Sequence, residues 1–179
     1  MSKVAIEGNA SGTGTFTFAS PNSNSDRTLD LPDASGVIDR LNRAGNVLQV
    51  VQNTVATETL FTSASYVDAL TVSITPSSAS NKVLIITSIL GQANGSTTTA
   101  GLRVARDSTA IATFAEWVRS SNYGGGAGQM TSSLNILDSP NTTSAITYRL
   151  QVARTSGSDN CFYSVSSSIT TIIAMEIAG

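Results

Sequence analysis

Residues 66–90 read YVDALTVSITPSSASNKVLIITSIL. In the first half, Leu70, Val72 and Ile74 alternate with Thr71 and Ser73, a period of two that gives an extended strand one apolar and one polar side. Pro76 and Asn81 bracket a turn. The second half differs. Lys82 to Leu90 is apolar on both sides, with Val83, Ile85 and Ile89 pointing one way and Leu84, Ile86 and Leu90 the other. An antiparallel sandwich leaves one face of each sheet to water, so a strand apolar on both faces needs a second cover.

The same pattern extends in both directions. Val47 to Val55, Gly101 to Arg106, Ala110 to Val118, Gln129 to Leu137, Ala145 to Val152, Cys161 to Val165 and Ile169 to Ala178 read as strands. Asp107-Ser108 joins two of them as a hairpin, and Ile146, Tyr148, Leu150 and Val152 point inward on another. About nine strands at spacings of about ten to fifteen residues signal an all-β sandwich or barrel. No segment sustains a helical period, which argues against α/β classes.

The last strand carries Ile169, Ile173, Met175 and Ile177 on one face and Ile172, Ala174 and Ala178 on the other. Small residues permit close approach of a neighbour. Leu84, Ile86, Ile172 and Ala174 are therefore expected at an interface between subunits. The alternative is a central strand covered by the domain's own loops.

Residues 1–38 read as short strands cut by turns, at Val4 to Glu7, Gly14 to Phe18, Arg27 to Leu31 and Val37-Ile38. Strands this short are marginal alone. They become stable where identical copies wrap together and bury Phe16, Phe18, Leu29 and Leu31 between chains; the alternative is an unstructured tail. Residues 39–46, DRLNRAGN, suggest one helical turn ended by Gly45 and Asn46. The chain thus divides into 1–46, a β-rich arm and neck for attachment and trimerisation, and 47–179, a head.

Composition narrows the function. Net charge is −2, and only 12% of residues are charged, which disfavours nucleic acid and anionic membrane as partners. The N-terminus has no apolar signal segment and no run reaches transmembrane length, so a soluble protein folding in a cytosol is expected. Cys161 is the single cysteine, and reads as a buried small residue. Histidine is absent, which removes the usual general base and the commonest zinc ligand. The glycine-rich Gly124 to Gly128 lacks the Lys-Ser/Thr of a phosphate loop. Glycan cleavage needs two facing carboxylates. The candidates are Asp30, Asp33, Asp68, Glu116, Asp138, Asp159 and Glu176, with Glu116 expected to pair with Arg119 or Arg103. No catalytic residue, cofactor or metal site is expected. Trp117, Asn122 and Tyr123, beside the glycine loop, are the candidates for stacking and hydrogen bonding to a receptor sugar; the alternative for Trp117 is core packing.

Two stretches resemble a known family. GTGTFTFASPNSNSDRTLDLPDASGVI, residues 12–38, resembles the intertwined trimeric β-segment of tail fibre proteins from marine and cyanobacterial phages. The course from NVLQVVQ (46–52) through residues 65–89 to ITTIIAMEIAG (169–179) resembles the trimeric jelly-roll heads of such fibres, which are similar to tumour-necrosis-factor-like heads. The resemblance implies a homotrimeric virion structural protein, assembled in the host cytoplasm. It would be a tail fibre with a receptor-binding head, partnered by tail, baseplate or major capsid protein and by a host surface glycan. Related modules act as trimeric capsid decoration proteins, and some fibres are glycan-degrading spikes. The short arm departs from long fibres, which carry a larger attachment domain.

Overall fold

The computed structural model describes residues 11–15, 17, 19, 22–26, 43–120 and 126–179. The chain divides into two units, Met1–Val37 and Ile38–Gly179. The described residues of the second hold eleven strands: β1 (Val47–Val55), β2 (Thr59–Phe61), β3 (Val67–Ile74), β4 (Lys82–Ala93), β5 (Thr99–Arg106), β6 (Thr109–Arg119), β7 (Gly128–Ser132), β8 (Asn135–Asp138), β9 (Ile146–Ser156), β10 (Cys161–Tyr163) and β11 (Thr170–Ile177).

Among the described residues, neighbouring strands pair antiparallel throughout. One sheet runs β1-β11-β4, with β8 and β7 in turn on the far edge of β4, and β10 carrying β2 beyond the end of β11. The other runs β3-β9-β5-β6. With β7 and β8 taken as one broken strand, successive long strands alternate between the layers except at the β5–β6 hairpin. That is the winding of a jelly roll, and it confirms the all-β sandwich expected from the strand pattern.

The core lies between the layers. Val72, Tyr148, Leu150, Val152, Leu102 and Val104 of the smaller sheet face Val83, Ile85, Ile89 and Ile172 of the larger, all 6% exposed or less. Each such large side chain contributes about 1.5–3 kcal/mol by leaving water. At one end a polar clasp joins the sheets. Arg106 Nη1 lies 2.9 Å from Asp138 Oδ2, and the Tyr148 hydroxyl donates to the same oxygen at 2.7 Å. Burial, then the Asp138 carboxylate, push the Tyr148 phenol far up, so it stays a donor.

Three local differences from the expected pattern have physical causes. The single strand expected over Gln129 to Leu137 is broken at Ser133-Leu134. There the buried Thr87 hydroxyl accepts from Leu134 N at 2.8 Å and donates to Leu134 O at 3.1 Å, so a side chain replaces a ladder bond. Strand β2 has three residues, too few to show a period. Residues 43–46 form a tight turn, closed by Asn46 N donating to Arg43 O at 3.0 Å with Gly45 at φ 90. The rest of the expected helical turn, 39–42, lies outside the described residues. So do Phe16, Phe18, Leu29 and Leu31, while Gly14, Thr15 and Thr17 are described and form no strand.

The turn at 43–46 is tied to the chain's other end. Gly45 N donates to Ala178 O at 2.8 Å, and Ala178 N to Asn46 O at 2.9 Å. The chain therefore enters and leaves the sandwich at the same end.

One glycine is dictated by packing. A Cβ on Gly91 of β4 would stand 2.1 Å from the Trp117 ring, which is 3% exposed and walled in. Gly91→Ala should lower stability by about 1–3 kcal/mol, read as a fall of several degrees in a circular-dichroism melt. An unchanged melting temperature would mean that the indole does not pack on this backbone.

Candidate functional site

The outer face of the larger sheet is built by strand register. Val50, Met175, Leu84 and Leu137 lie side by side across β1, β11, β4 and β8. The next row is Gln52, Ile173, Ile86 and Asn135, and on the other side Val47, Ile177 and Lys82 align. Val47, Val50 and Leu137 are 52%, 54% and 55% exposed, and Leu84, Ile86, Ile173, Met175 and Ile177 are half-buried. Four strands about 4.8 Å apart and five residues at about 3.4 Å give a face of roughly 300 Å2. Lys82 is the charged residue in these three rows. The largest apolar patch on a typical monomer is about 300–600 Å2 and is often functional, which makes this face a candidate contact surface.

Leu84 and Ile86 sit on this face, whereas Ile172 and Ala174 do not. Both are 0% exposed and belong to the core, which corrects the expectation that they meet a neighbouring subunit. The cause is register: Ala174 pairs with Ile85 and Glu176 with Val83, whose side chains point inward, so Ile173, Met175 and Ile177 turn outward.

That parity buries Glu176, which is 1% exposed. Its Oε1 accepts from Ser77 N (2.6 Å), Ser77 Oγ (2.8 Å) and Asn81 Nδ2 (2.6 Å), and its Oε2 from Gln49 Nε2 (2.6 Å). Burial alone would raise the carboxyl pKa. The hydrogen bonds from Asn81, Gln49 and Ser77 outweigh it and hold the group at about 2. Gly179 N donates to Asn81 Oδ1 at 3.1 Å, which ties the last residue to the same knot. The carboxylate thus fastens β1, the β3–β4 turn and the C-terminus together.

The other candidates fall into place as follows. Trp117 is buried against Gly91, so its ring is not a platform for a sugar; the core-packing alternative is the one that holds. Asn122 and Tyr123 lie outside the described residues. Cys161 is 0% exposed, and burial pushes its thiol up to about 11, so it is not an activated nucleophile. Glu116 is held by Arg119 Nη2 at 2.7 Å on both oxygens. Asp138 is in the clasp, and Asp159 Oδ2 accepts from Thr98 Oγ1 at 3.3 Å. Asp30 and Asp33 lie outside the described residues. Among the described residues, no three potential ligands cluster to hold a metal ion.

No family model and no curated protein matches the chain. Among solved structures it is similar to infectious bursal disease virus, Gx strain, at 14% identity and TM-score 0.40, over 73% of this chain and 37% of that one. It is also similar to the VP2 subviral particle of infectious bursal disease virus, at 13% identity and TM-score 0.39, over 87% of this chain and 42% of that one. The chain thus spans about two fifths of the length of each. Likeness at these scores carries no argument for role.

The Glu176 knot sets an acid limit on stability. Its folded value of about 2 lies below the ordinary 4.5, so its contribution is complete above pH 4.5 and is lost as pH falls toward 2. Glu176→Gln turns an amide N–H toward donors and should cost about 2–3 kcal/mol at neutral pH. It should also flatten the fall in stability between pH 4.5 and 2. Urea titrations at several pH values measure both, and equal stability of the two proteins at pH 7 would contradict the assignment.

Proposed function

We propose that the chain is a structural component of a virus particle, a homotrimer whose heads meet through the outer face of the larger sheet. The observation that carries this reading is the three-row apolar face around Leu84, Met175 and Leu137. A second copy of the chain suits it as occupant. The patch is apolar and nearly free of charge, so it has no sign preference against a copy of itself. Polar side chains edge it: Gln52 and Asn135 end one row, Ser88 and Thr171 pair in the row beyond, and Lys82 ends the third. An apolar centre within a polar rim is the usual anatomy of a subunit interface. Roughly 300 Å2 is the centre of such an interface rather than its whole, since stable contacts bury about 800 Å2 per partner.

Three copies rather than two, and a virus rather than another assembly, rest on the resemblance of residues 12–38 and of the head strands to phage tail fibres. The role proposed is a tail fibre in which the head meets the host and the arm meets other virion proteins. Binding rather than catalysis is favoured because Asp68, Glu116, Asp138, Asp159 and Glu176 are each engaged in hydrogen bonds within the fold. Capsid decoration is the rival role for the same trimer.

Counting copies by quantitative mass spectrometry of purified particles tests the reading. Tens of copies support a fibre, hundreds transfer the chain to the capsid, and absence from particles overturns the proposal. Leu137→Asp, at a side chain already 55% exposed, should fold normally yet be depleted from particles at least tenfold.

A further inference from the structure

The sandwich is closed along one side and open along the other. On the closed side, amides of β1 reach the free edge of the smaller sheet: Gln49 Nε2 donates to Thr75 O at 2.7 Å, and Asn53 Nδ2 to Thr71 O at 2.9 Å. The opposite side lies between β6, the last strand of the smaller sheet, and β7, on the far edge of β4. Among the described residues, β6 has a ladder partner on one flank only, β5, and β7 has only β4. The two edges come together at Arg119 and Gly128, where a Cβ on the glycine would stand 1.9 Å from Arg119 O. Further along they leave a cleft of about 410 Å3, lined by Phe114, Trp117, Met130 and Ser132 among others.

Register explains what the cleft exposes. Phe114 pairs with Leu102, and Met130 with Gly91, which stands between the buried Ile89 and Ala93 on the inner face of β4. Both side chains therefore sit on the core side of their sheets, yet they are 43% and 51% exposed. Over the interval in which β5 runs from Ala100 to Leu102, β6 runs from Val118 to Phe114. This bulge turns Trp117 inward beside Val118 and lays its ring on Gly91. Trp117 is 3% exposed, and its indole N–H has no acceptor among the described residues. A buried donor without a partner is costly, and native folds rarely leave one.

We propose that the cleft receives an extended, neutral peptide segment of another protein, which adds a strand to β6 and seats an apolar side chain between Phe114 and Met130. Three independent features point to that occupant. The free edge of β6 offers backbone N–H and C=O groups in series, which another extended backbone matches. The stretch Thr109–Ala115, TAIATFA, has neither charge nor proline, the usual devices that keep a strand edge from pairing. Its ladder to β5 is regular over Ala112–Phe114, beside the cleft. The orphan indole N–H needs an acceptor, and a peptide carbonyl supplies one. Glu116, the charged residue lining the cleft, is taken up by Arg119 at 2.7 Å on both oxygens, so a neutral segment suits the remaining surface. The indole N–H is sealed from water, so the entering side chain parts the rim. Met130, unbranched and half exposed, is able to swing aside. The inference does not depend on the assembly proposed above, because the cleft opens on the core side of the larger sheet and the apolar face lies on its outside.

Trp117 is the single tryptophan of the chain, so its fluorescence reports on the cleft. The test titrates the full chain with acetylated, amidated heptapeptides that alternate threonine with valine, leucine or phenylalanine. A saturable change in emission is expected with at least one of them. The same peptide with proline at its centre, which lacks a ladder N–H, should bind at least tenfold more weakly. N-acetylleucine amide, a side chain without a strand, should give no change at matched concentration. Phe114→Ala and Met130→Ala should each weaken peptide binding at least tenfold, whereas Leu60→Ala, which removes an equally exposed apolar side chain from β2, should leave it unchanged. Near-ultraviolet circular dichroism checks that each variant is folded; Met130→Ala trims a half-exposed side chain and keeps the test decisive if Phe114→Ala does not fold. No change with any of the heptapeptides, equal binding of the proline peptide or of N-acetylleucine amide, or undiminished binding in the Phe114 and Met130 variants would each overturn the proposal. An emission that shifts on dilution of the chain alone would overturn it too, since a second copy would then fill the cleft.

Discussion

Strand β4 has two apolar faces and the sandwich covers one of them. Val83, Ile85 and Ile89 are wholly buried between the layers, while Leu84, Ile86 and Leu90 look outward and remain partly open to water. A sheet strand cannot turn both faces to its own core. The neighbours make the situation sharper rather than softer, because Val50, Ile173, Met175 and Leu137 extend the outward face across four strands. Hydrophobic burial favours covering such a surface at about 25 cal/mol for each Å2 removed from water. The proposed assembly follows from that unbalanced strand.

What prevents the sheet from hiding more of this surface is the parity of β11. A slip of one residue would send Ile173 and Met175 inward and expel Glu176. The four donors around Glu176 stabilise the opposite choice, and a buried carboxylate lacking them would cost several kcal/mol. The polar knot at the end of the sandwich and the apolar face on its outside are therefore two consequences of one register. Ala174, rather than a larger residue, then faces the core opposite the smaller sheet.

Much of the fold could be read from the chain. The period-two alternation in β3 and β9, the doubly apolar β4 and the Asp107-Ser108 hairpin define strands whose limits lie within a few residues of the observed ones. The face assigned to β11 could not be read, because Ile172 and Ile173 are equally apolar and only the distant donors Gln49, Ser77 and Asn81 decide between them. Side-chain size suggested the reverse. Trp117 was ambiguous for a similar reason: its burial depends on Gly91, twenty-six positions away in sequence, which leaves space for the ring. The polar rung across the smaller sheet, where Arg103 Nε donates to Gln151 Oε1 and Gln151 Nε2 to Asp68 Oδ1, was invisible in sequence because it exists only across three strands. Its trace in the chain is the placement of scarce charges at outward positions of strands.

The two sheets divide the surface between them, one outer face apolar and the other polar and bonded within itself. Winding alone assigns no role to either; the chemistry of the apolar face does. Sedimentation equilibrium of the purified full chain at micromolar concentration tests the dependence on β4 most directly. The account predicts a single species at three times the 18.4 kDa chain mass. A stable, folded species of 18.4 kDa, with the outer face of the larger sheet open to solvent, would contradict it.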